Sequence, residues 1–233
     1  DISIYPVMQL WGFTTGDFAV PSKEDLAAKL ALVNAGRISL TEDNGVSSIT
    51  LPEGMEIDLG GIAKGYTSGR VMEVMKRYGI ESAVINLGGN AHVLGSKPDG
   101  SAWKVGIQDP NDTNGYLGGV SVRDKAIITS GGYERYFEKD GVTYHHIIDP
   151  STGYPAENGL ISVTIVSADG TLADGLSTSL FVMGKDKAVD YWRTHSNEFD
   201  MILLTDDEQL YVSEGIKDSF TSDRDVNIVE KDD

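Results

Sequence analysis

Hydrophobic residues along the chain follow helical spacing in some segments and strand spacing in others. After Ser22, apolar side chains recur at intervals of four and three residues, at Leu26, Leu30 and Val33. The Ser22 hydroxyl, with Asp25 three residues later, has capping-box spacing, and Gly36 is a typical helix terminator. These signals predict a helix that begins after Ser22 and ends before Gly36. Similar spacing predicts helices over residues 173–183 and 185–195.

A segment rich in glycine, Asp58–Tyr66, leads into another predicted helix that runs to about residue 78. Gly79 follows as its terminator. Four apolar residues suggest its core-facing side: Ile62, Tyr66, Val74 and Tyr78. We expect this face to be buried.

Shorter apolar and β-branched runs between turn residues predict strands. They cover residues 37–40, 47–51, 83–87, 103–108, 120–123, 126–129, 142–148, 161–166, 199–205 and 209–213. The strands outnumber the helices and do not alternate with them one for one. This pattern favours an α+β fold over a doubly wound α/β fold.

Composition narrows the class of protein. The 233 residues carry a formal net charge of −17, which disfavours nucleic acid as a general partner. The chain has no cysteine, which excludes disulfides, thiolate nucleophiles and zinc–thiolate sites. No apolar run reaches the roughly 18 residues of a membrane-spanning helix. The sequence starts at Asp1 without a methionine, so we expect a processed or trimmed chain, and any export signal would have stood upstream.

The first segment with chemical potential is Asp58–Tyr66, which contains Gly60-Gly61. Adjacent glycines allow a backbone to approach a ligand, and a helix start offers free N–H groups to an anion. Lys64 could contact a phosphate. The spacing is neither that of a P-loop nor that of a dinucleotide-binding fingerprint. A strand-to-helix turn with Lys64 in solvent explains it as well.

Two further segments combine turns with polar side chains. Asn86–Asn90 is a strand end followed by two glycines, which suits a ligand loop or a plain hairpin corner. His145 and His146 precede a turn at Asp149-Pro150, and neighbouring residues on a strand face opposite sides. At most one imidazole can therefore serve a given site, and no third ligand for zinc is evident. The alternative is one surface histidine and one that is satisfied structurally.

The last candidate is Asp174 with Ser177 and Thr178, which share a helix face at i, i+3 and i+4. A carboxylate with two hydroxyls is a set of hard oxygen donors that suits Mg²⁺. The alternative places Asp174 at the N-cap, with both hydroxyls bonded back to the helix.

Taken in order, these segments resemble the ApbE family of flavin transferases. The resemblance rests on six segments: Asp1–Phe13, Asp58–Tyr66, Asn86–Asn90, Thr129–Gly131, His146–Pro150 with Thr152-Gly153, and Ala173–Thr178. The family implies a single ApbE-type domain over residues 1–233, with a mixed β-sheet and packed helices related to the tunnelling fold. It also implies FAD as substrate, Mg²⁺ as cofactor and transfer of FMN to a Thr or Ser of an acceptor protein, with release of AMP.

The resemblance also implies roles for single residues. The metal would lie between the Gly61 carbonyl, the Asp174 carboxylate, and the oxygens of Ser177 and Thr178. FAD would contact four places: Asp1, Asp58, Lys64 and the backbone at Ile148. The proton of the attacking hydroxyl would pass to His146, with Asp174 as the competing candidate.

Two departures from the family pattern concern its N-terminus and Gly132. Members carry a region before the Asp1 segment that helps to hold the flavin, and its absence here predicts weak FAD binding. Gly132 stands where an acidic residue often follows Thr-Ser-Gly. Two other functions stay open: an Mg²⁺-dependent FAD pyrophosphatase and a non-catalytic flavin-binding module. Relatives are commonly exported and lipid-anchored, so the resemblance implies an extracytoplasmic location, with any membrane contact through an upstream anchor.

Overall fold

The computed structural model describes residues 1–231, and of Thr113 it describes the backbone. The α-helices are Tyr5–Trp11 (α1), Lys23–Leu30 (α2), Gly60–Arg77 (α3), Gly170–Met183 (α4) and Lys185–His195 (α5). The strands are Ser39–Asp43 (β1), Val46–Thr50 (β2), Ala83–Leu87 (β3), Asn90–Leu94 (β4), Trp103–Asp109 (β5), Asp112–Val122 (β6), Ala126–Gly131 (β7), Tyr136–Lys139 (β8), Val142–His145 (β9), Leu160–Ser167 (β10), Phe199–Thr205 (β11), Leu210–Ser213 (β12), Phe220–Thr221 (β13) and Val226–Val229 (β14). The predicted α+β class is confirmed.

The chain forms two compact units. Unit 1 comprises residues 1–59 and 134–156, and unit 2 comprises residues 60–133 and 157–233. Within residues 1–231, no helix combines the length and the apolar character that crossing a bilayer requires. The single domain expected from the family resemblance stays a prediction.

Unit 1 has a small aromatic core. Trp11 at the end of α1 is fully buried, and its indole N–H donates to the Gly153 carbonyl at 2.8 Å. Phe137 and Tyr144, from the hairpin of β8 and β9, pack against the same indole. This contact connects the first helix to the turn after His146. The turn forms as expected: Gly153 has a φ of 74° and donates to the Asp149 carbonyl.

Unit 2 is built on a seven-stranded sheet in the order β14-β12-β11-β10-β7-β4-β3. Its strands pair antiparallel, except for the parallel pair β12 and β14. Apolar side chains on one face, such as Ile127 and Val166, pack against the three-stranded sheet β13-β6-β5. Alternate residues of β7 and β10 point to the opposite face, where α4 lies.

Helix α3 differs from the sequence prediction in its buried side. The prediction is wrong for three of the four residues: Tyr66, Val74 and Tyr78 are 56%, 45% and 84% exposed. Ile62 is half-buried. Gly65 and Ser68 are buried, where α3 packs on α4. Two backbones this close leave room only for small side chains. Small residues therefore form the buried side where α3 meets α4, and Met72 continues that side one turn further along the helix.

Candidate functional site

Helix α4 begins at a cap that the sequence prediction did not identify. The Asp169 carboxylate accepts hydrogen bonds from the N–H groups of Thr171 at 2.8 Å and Leu172 at 3.2 Å. This satisfies the free donors of the first turn. Asp174 therefore lies inside the helix, one turn further on. The alternative reading of Asp174 as the N-cap is wrong, and its carboxylate is available for another role.

The Asp174 carboxylate is buried, with an exposed fraction of 4%. The Gly65 N–H of α3 donates to Oδ2 at 2.7 Å, and the Asn90 side-chain amide of β4 donates to Oδ1 at 3.2 Å. Within residues 1–231, no ion pair with this carboxylate is found. Two neutral donors thus hold a buried group that carries a charge when it is ionised.

Burial raises the pKa of Asp174, because removal from water disfavours the charged form. The hydrogen bond from the Gly65 N–H and the positive charge of Lys64 oppose this shift. The net direction is upward. A cation placed against the carboxylate would reverse it, since an opposite charge nearby favours ionisation.

Hydroxyl groups surround the same end of α4. The Ser177 hydroxyl donates to the Asp174 backbone carbonyl at 2.8 Å, as the alternative reading of the motif allowed. The Oγ of Ser130, on β7, lies 2.8 Å from Ser177 Oγ and 3.0 Å from Thr178 Oγ1. Ser130 belongs to the family segment Thr129–Gly131, but nothing in the sequence pattern indicates a role for it. Three hydroxyls from two elements therefore meet at the helix face that carries Asp174.

Gly61 lies near this group, at the start of α3. A Cβ on Gly61 would stand 4.0 Å from Thr178 Oγ1, so the first turn of α3 faces the hydroxyls of α4. Lys64, three residues on, is close enough to influence the Asp174 pKa. The structure thus places Gly61 near Thr178, on the helix face that also carries Asp174 and Ser177, and the role of these residues as metal ligands stays a prediction.

The chemistry of these donors fits a hard divalent cation. Carboxylate, hydroxyl and backbone carbonyl oxygens are the ligands that Mg²⁺ accepts. Among the described residues, no cluster of three or more His, Asp or Glu side chains suited to a metal is found. A single carboxylate suits Mg²⁺ bound together with substrate phosphates, which supply the remaining oxygens.

The remaining predicted residues lie in unit 1. The Asp1 carboxylate accepts from the backbone N–H groups of Ser3 at 2.8 Å and Ala35 at 3.0 Å. The N–H of Asp58 donates to the Ile2 carbonyl at 2.8 Å, so the segments of Asp1 and Asp58 are adjacent. Ile148 is buried and bridges to Pro155.

The two neighbouring histidines have different surroundings. His145 Nδ1 accepts from the Ile147 N–H at 3.2 Å, so its other nitrogen carries the proton and donates to the Ala156 carbonyl at 3.2 Å. His146 Nδ1 lies 3.2 Å from the Arg135 carbonyl, and its ring meets Phe13 edge-on. His145 therefore supports the local backbone on both sides. Because His146 also contacts a backbone carbonyl, its role as the base stays a prediction from the family resemblance.

Comparison with known proteins agrees with these motifs. The family model described as "ApbE family" matches residues 1–203. The chain belongs to the ApbE family. An ApbE protein of Thermotoga maritima has a TM-score of 0.86 and 34% identity, over 94% of this chain and 71% of its own. The flavin transferase ApbE of Vibrio cholerae has a TM-score of 0.79 and 33% identity, over 94% of this chain and 70% of its own.

Curated ApbE relatives carry the name FAD:protein FMN transferase. One from Klebsiella pneumoniae is 37% identical over 91% of this chain and 65% of its own length. One from Treponema pallidum is 36% identical over 91% of this chain and 62% of its own. The chain thus spans slightly less than two thirds of the length of these relatives.

Proposed function

We propose that this protein is an Mg²⁺-dependent FAD:protein FMN transferase. The observation that carries the proposal is the buried Asp174 carboxylate with the hydroxyls of Ser130, Ser177 and Thr178 at the same helix face. These oxygens suit a divalent cation, and the relatives that share the family carry this activity in their names. Such a site suits cleavage of a pyrophosphate, where negative charge has to be neutralised.

In the proposed reaction a Thr or Ser hydroxyl of an acceptor protein attacks the phosphorus on the FMN side of the FAD pyrophosphate. A new P–O bond forms to the acceptor oxygen, and the bond to the bridging oxygen breaks. AMP leaves with that oxygen. The proton of the hydroxyl passes to a base, for which His146 is the first candidate and Asp174 the second. No electrons are transferred, so the reaction needs no redox partner.

The proposal assigns the cation to Asp174, Ser177, Thr178 and the Gly61 carbonyl. Mg²⁺ supplies positive charge for the oxygens of the pyrophosphate. The Asp174 carboxylate would bind it in the ionised form, held in place by the Gly65 N–H and the Asn90 amide. Lys64 would contact a phosphate, and contacts from Asp1, Asp58 and Ile148 to FAD remain part of the proposal.

The acceptor is proposed as a protein with a Thr or Ser in an accessible segment. An extracytoplasmic, envelope-associated location is proposed with it, on the resemblance to exported relatives. Expression of the full-length gene product with a compartment-sensitive reporter tests this location. Reporter activity that stays in the cytoplasm would contradict this location.

The function is tested by incubating the protein with FAD, an acceptor protein that carries a family target motif, and Mg²⁺. Covalent flavin fluorescence on the acceptor band, together with one AMP per FMN transferred, is expected. Free FMN without a fluorescent acceptor would favour the pyrophosphatase, and FAD binding without AMP release would favour a non-catalytic module. EDTA and the Asp174→Asn variant are the matched controls, and both should lack activity.

A further inference from the structure

A closed ring of hydrogen bonds lies behind Asp174, and it includes a buried histidine that the proposed reaction does not use. His92 of β4 is 6% exposed, and its Nδ1 lies 3.0 Å from the hydroxyl of Ser68 on α3. That hydroxyl donates to the Gly65 carbonyl at 2.9 Å. The Gly65 N–H donates to Asp174 at 2.7 Å.

The ring closes on β4, because Asn90 of the same strand donates to the other oxygen of Asp174 at 3.2 Å. Asn90 and His92 are two residues apart, so they extend from the same face of the strand. Asn90 of β4 thus binds Asp174 directly. His92 of β4 contacts Ser68, which is bonded to Gly65, the residue of α3 that supplies the second donor to Asp174. The spacing between the two donors depends on how α3 is held against β4.

The positions of the protons in this ring follow from counting the hydrogen-bond donors. A serine hydroxyl has one proton, and Ser68 uses it to donate a hydrogen bond to the Gly65 carbonyl. The contact of Ser68 with His92 therefore needs a proton on His92 Nδ1. Burial lowers the pKa of His92, and the charge of Lys76 acts in the same direction. The imidazole is thus neutral near pH 7, with its single proton on Nδ1.

Gly65 needs this support because it has no side chain. A Cβ at residue 65 would stand 2.6 Å from the Cβ of Asp174 and would overlap the Gly170 carbonyl, so only glycine fits. Glycine is the least restrained residue of a helix interior. A hydrogen bond on its carbonyl, anchored to the sheet through His92, restrains the N–H that Asp174 accepts.

We propose that His92 is a positioning residue: through Ser68 it holds Gly65 so that the Gly65 N–H and Asn90 fix the Asp174 carboxylate for cation binding. The part about the cation rests on the proposed function. The geometry of the ring does not. Groups behind a metal ligand typically change metal affinity by 10- to 100-fold when they are lost.

The two amide isosteres of histidine test the proposal. His92→Asn places an N–H donor near the position of Nδ1, and His92→Gln places one near Nε2. We expect the Kd for Mn²⁺, measured by electron paramagnetic resonance, to rise about 10- to 100-fold in His92→Gln and Ser68→Ala. It should stay within about threefold of wild type in His92→Asn, by the same positioning argument. Thr164→Val, which removes a buried hydroxyl pair on the other face of the sheet, should leave the Kd unchanged.

A second readout needs no metal. The Gly65 amide hydrogen should exchange slowly with solvent in the wild type and in His92→Asn. In His92→Gln and Ser68→Ala the exchange should be at least about fivefold faster, an amide response expected because a misplaced donor loses its hydrogen bond. Equal behaviour of His92→Asn and His92→Gln overturns the proposal, as does an unchanged amide response in both. If the wild type binds no Mn²⁺, the proposed function fails, and the amide response still decides the role of His92. Should His92→Gln fail to fold, Ser68→Ala supplies the same test.

Discussion

Gly65 and Asp174 are in direct contact, with the N–H of one 2.7 Å from a carboxylate oxygen of the other. A Cβ on Gly65 would stand 2.6 Å from the Cβ of Asp174. The absence of a side chain at residue 65 therefore both packs α3 on α4 and creates the hydrogen bond. The packing of α3 on α4 and the hydrogen bond to the Asp174 carboxylate thus both require glycine at residue 65.

Gly65→Ala should destabilise the protein by at least about 2 kcal/mol, because the added methyl group has to displace the α4 backbone. Gly69→Ala is the matched control in the same helix, where a Cβ meets nothing outside the helix within 4 Å. It should stabilise by about 1 kcal/mol, through helix propensity alone. Chemical denaturation of both variants measures the difference. Equal effects of the two substitutions would contradict the close helix contact.

Asp174→Asn should remove Mg²⁺-dependent turnover, since it removes the carboxylate of the proposed cation site. It should also change the dependence of stability on pH. The pKa of Asp174 is raised in the folded state, so its contribution to stability is full below the ordinary pKa of aspartate and is lost as the pH rises through the raised value.

In EDTA, we therefore expect the Asn variant to have a higher Tm than the wild type at pH 7, and the difference to shrink toward pH 3. In Mg²⁺ the wild type should gain Tm through binding and the variant should not. Thermal unfolding across pH, with and without the metal, checks both expectations. A Tm difference that grows toward acid would show that the pKa of Asp174 is lowered instead.

Ser130→Ala should weaken cation binding and turnover about 5- to 10-fold, the effect of one lost hydrogen-bonding group of about 1 kcal/mol. Ser130 contacts both Ser177 and Thr178, so its loss removes one hydrogen-bonding partner from each hydroxyl. Thr129→Val, one residue earlier on the opposite face of β7, is the control for sheet stability. If both variants lose activity equally, Ser130 acts through the sheet rather than at the site.

His146→Ala should lower the rate of FMN transfer by about 10²- to 10⁴-fold, if this imidazole accepts the hydroxyl proton. His145→Ala serves as a comparison, because His145 supports the backbone at Ile147 and Ala156. It should reduce the thermal stability more than His146→Ala does. A rate unchanged in His146→Ala would transfer the role of base to Asp174.

Trp11→Phe tests the core of unit 1. The substitution removes the N–H that donates to the Gly153 carbonyl and leaves that carbonyl without this partner. We expect a loss of about 1–3 kcal/mol in the free energy of unfolding. Trp103 and Trp192 lie in unit 2, so guanidinium unfolding is followed by circular dichroism rather than by tryptophan fluorescence. An unchanged midpoint would contradict the importance of the bond.

The sequence by itself predicted the elements with strong local signals. The helix Lys185–His195 and the strands Ala83–Leu87 and Phe199–Thr205 have the predicted limits. The cap of α2 at Ser22 is confirmed, because capping depends on neighbours in sequence. The end of that helix is wrong: α2 stops at Leu30 instead of continuing toward Gly36, and a short 3₁₀ turn follows.

Elements whose stability depends on distant partners were missed. β14 is a short strand that pairs in parallel with β12, and β4 is paired on both sides within the sheet. The predicted strand 142–148 ends at His145, where the backbone of Ile147 bonds to the histidine side chain instead. Spacing along the chain contains no information about these partners.

In the candidate site too, some features follow from the sequence and others depend on the tertiary structure. The sequence determined that Asp174, Ser177 and Thr178 share a helix face, because helical spacing alone places them there, and it supplied the motifs that identify the family. The Asp169 cap of α4 is also a local signal, which the sequence analysis missed. Only the tertiary structure decided that Ser130, Asn90 and His92 belong to the surroundings of the carboxylate. The physical reason is that burial and hydrogen bonds between a strand and two helices depend on residues far apart in sequence, which meet only when the sheet has formed.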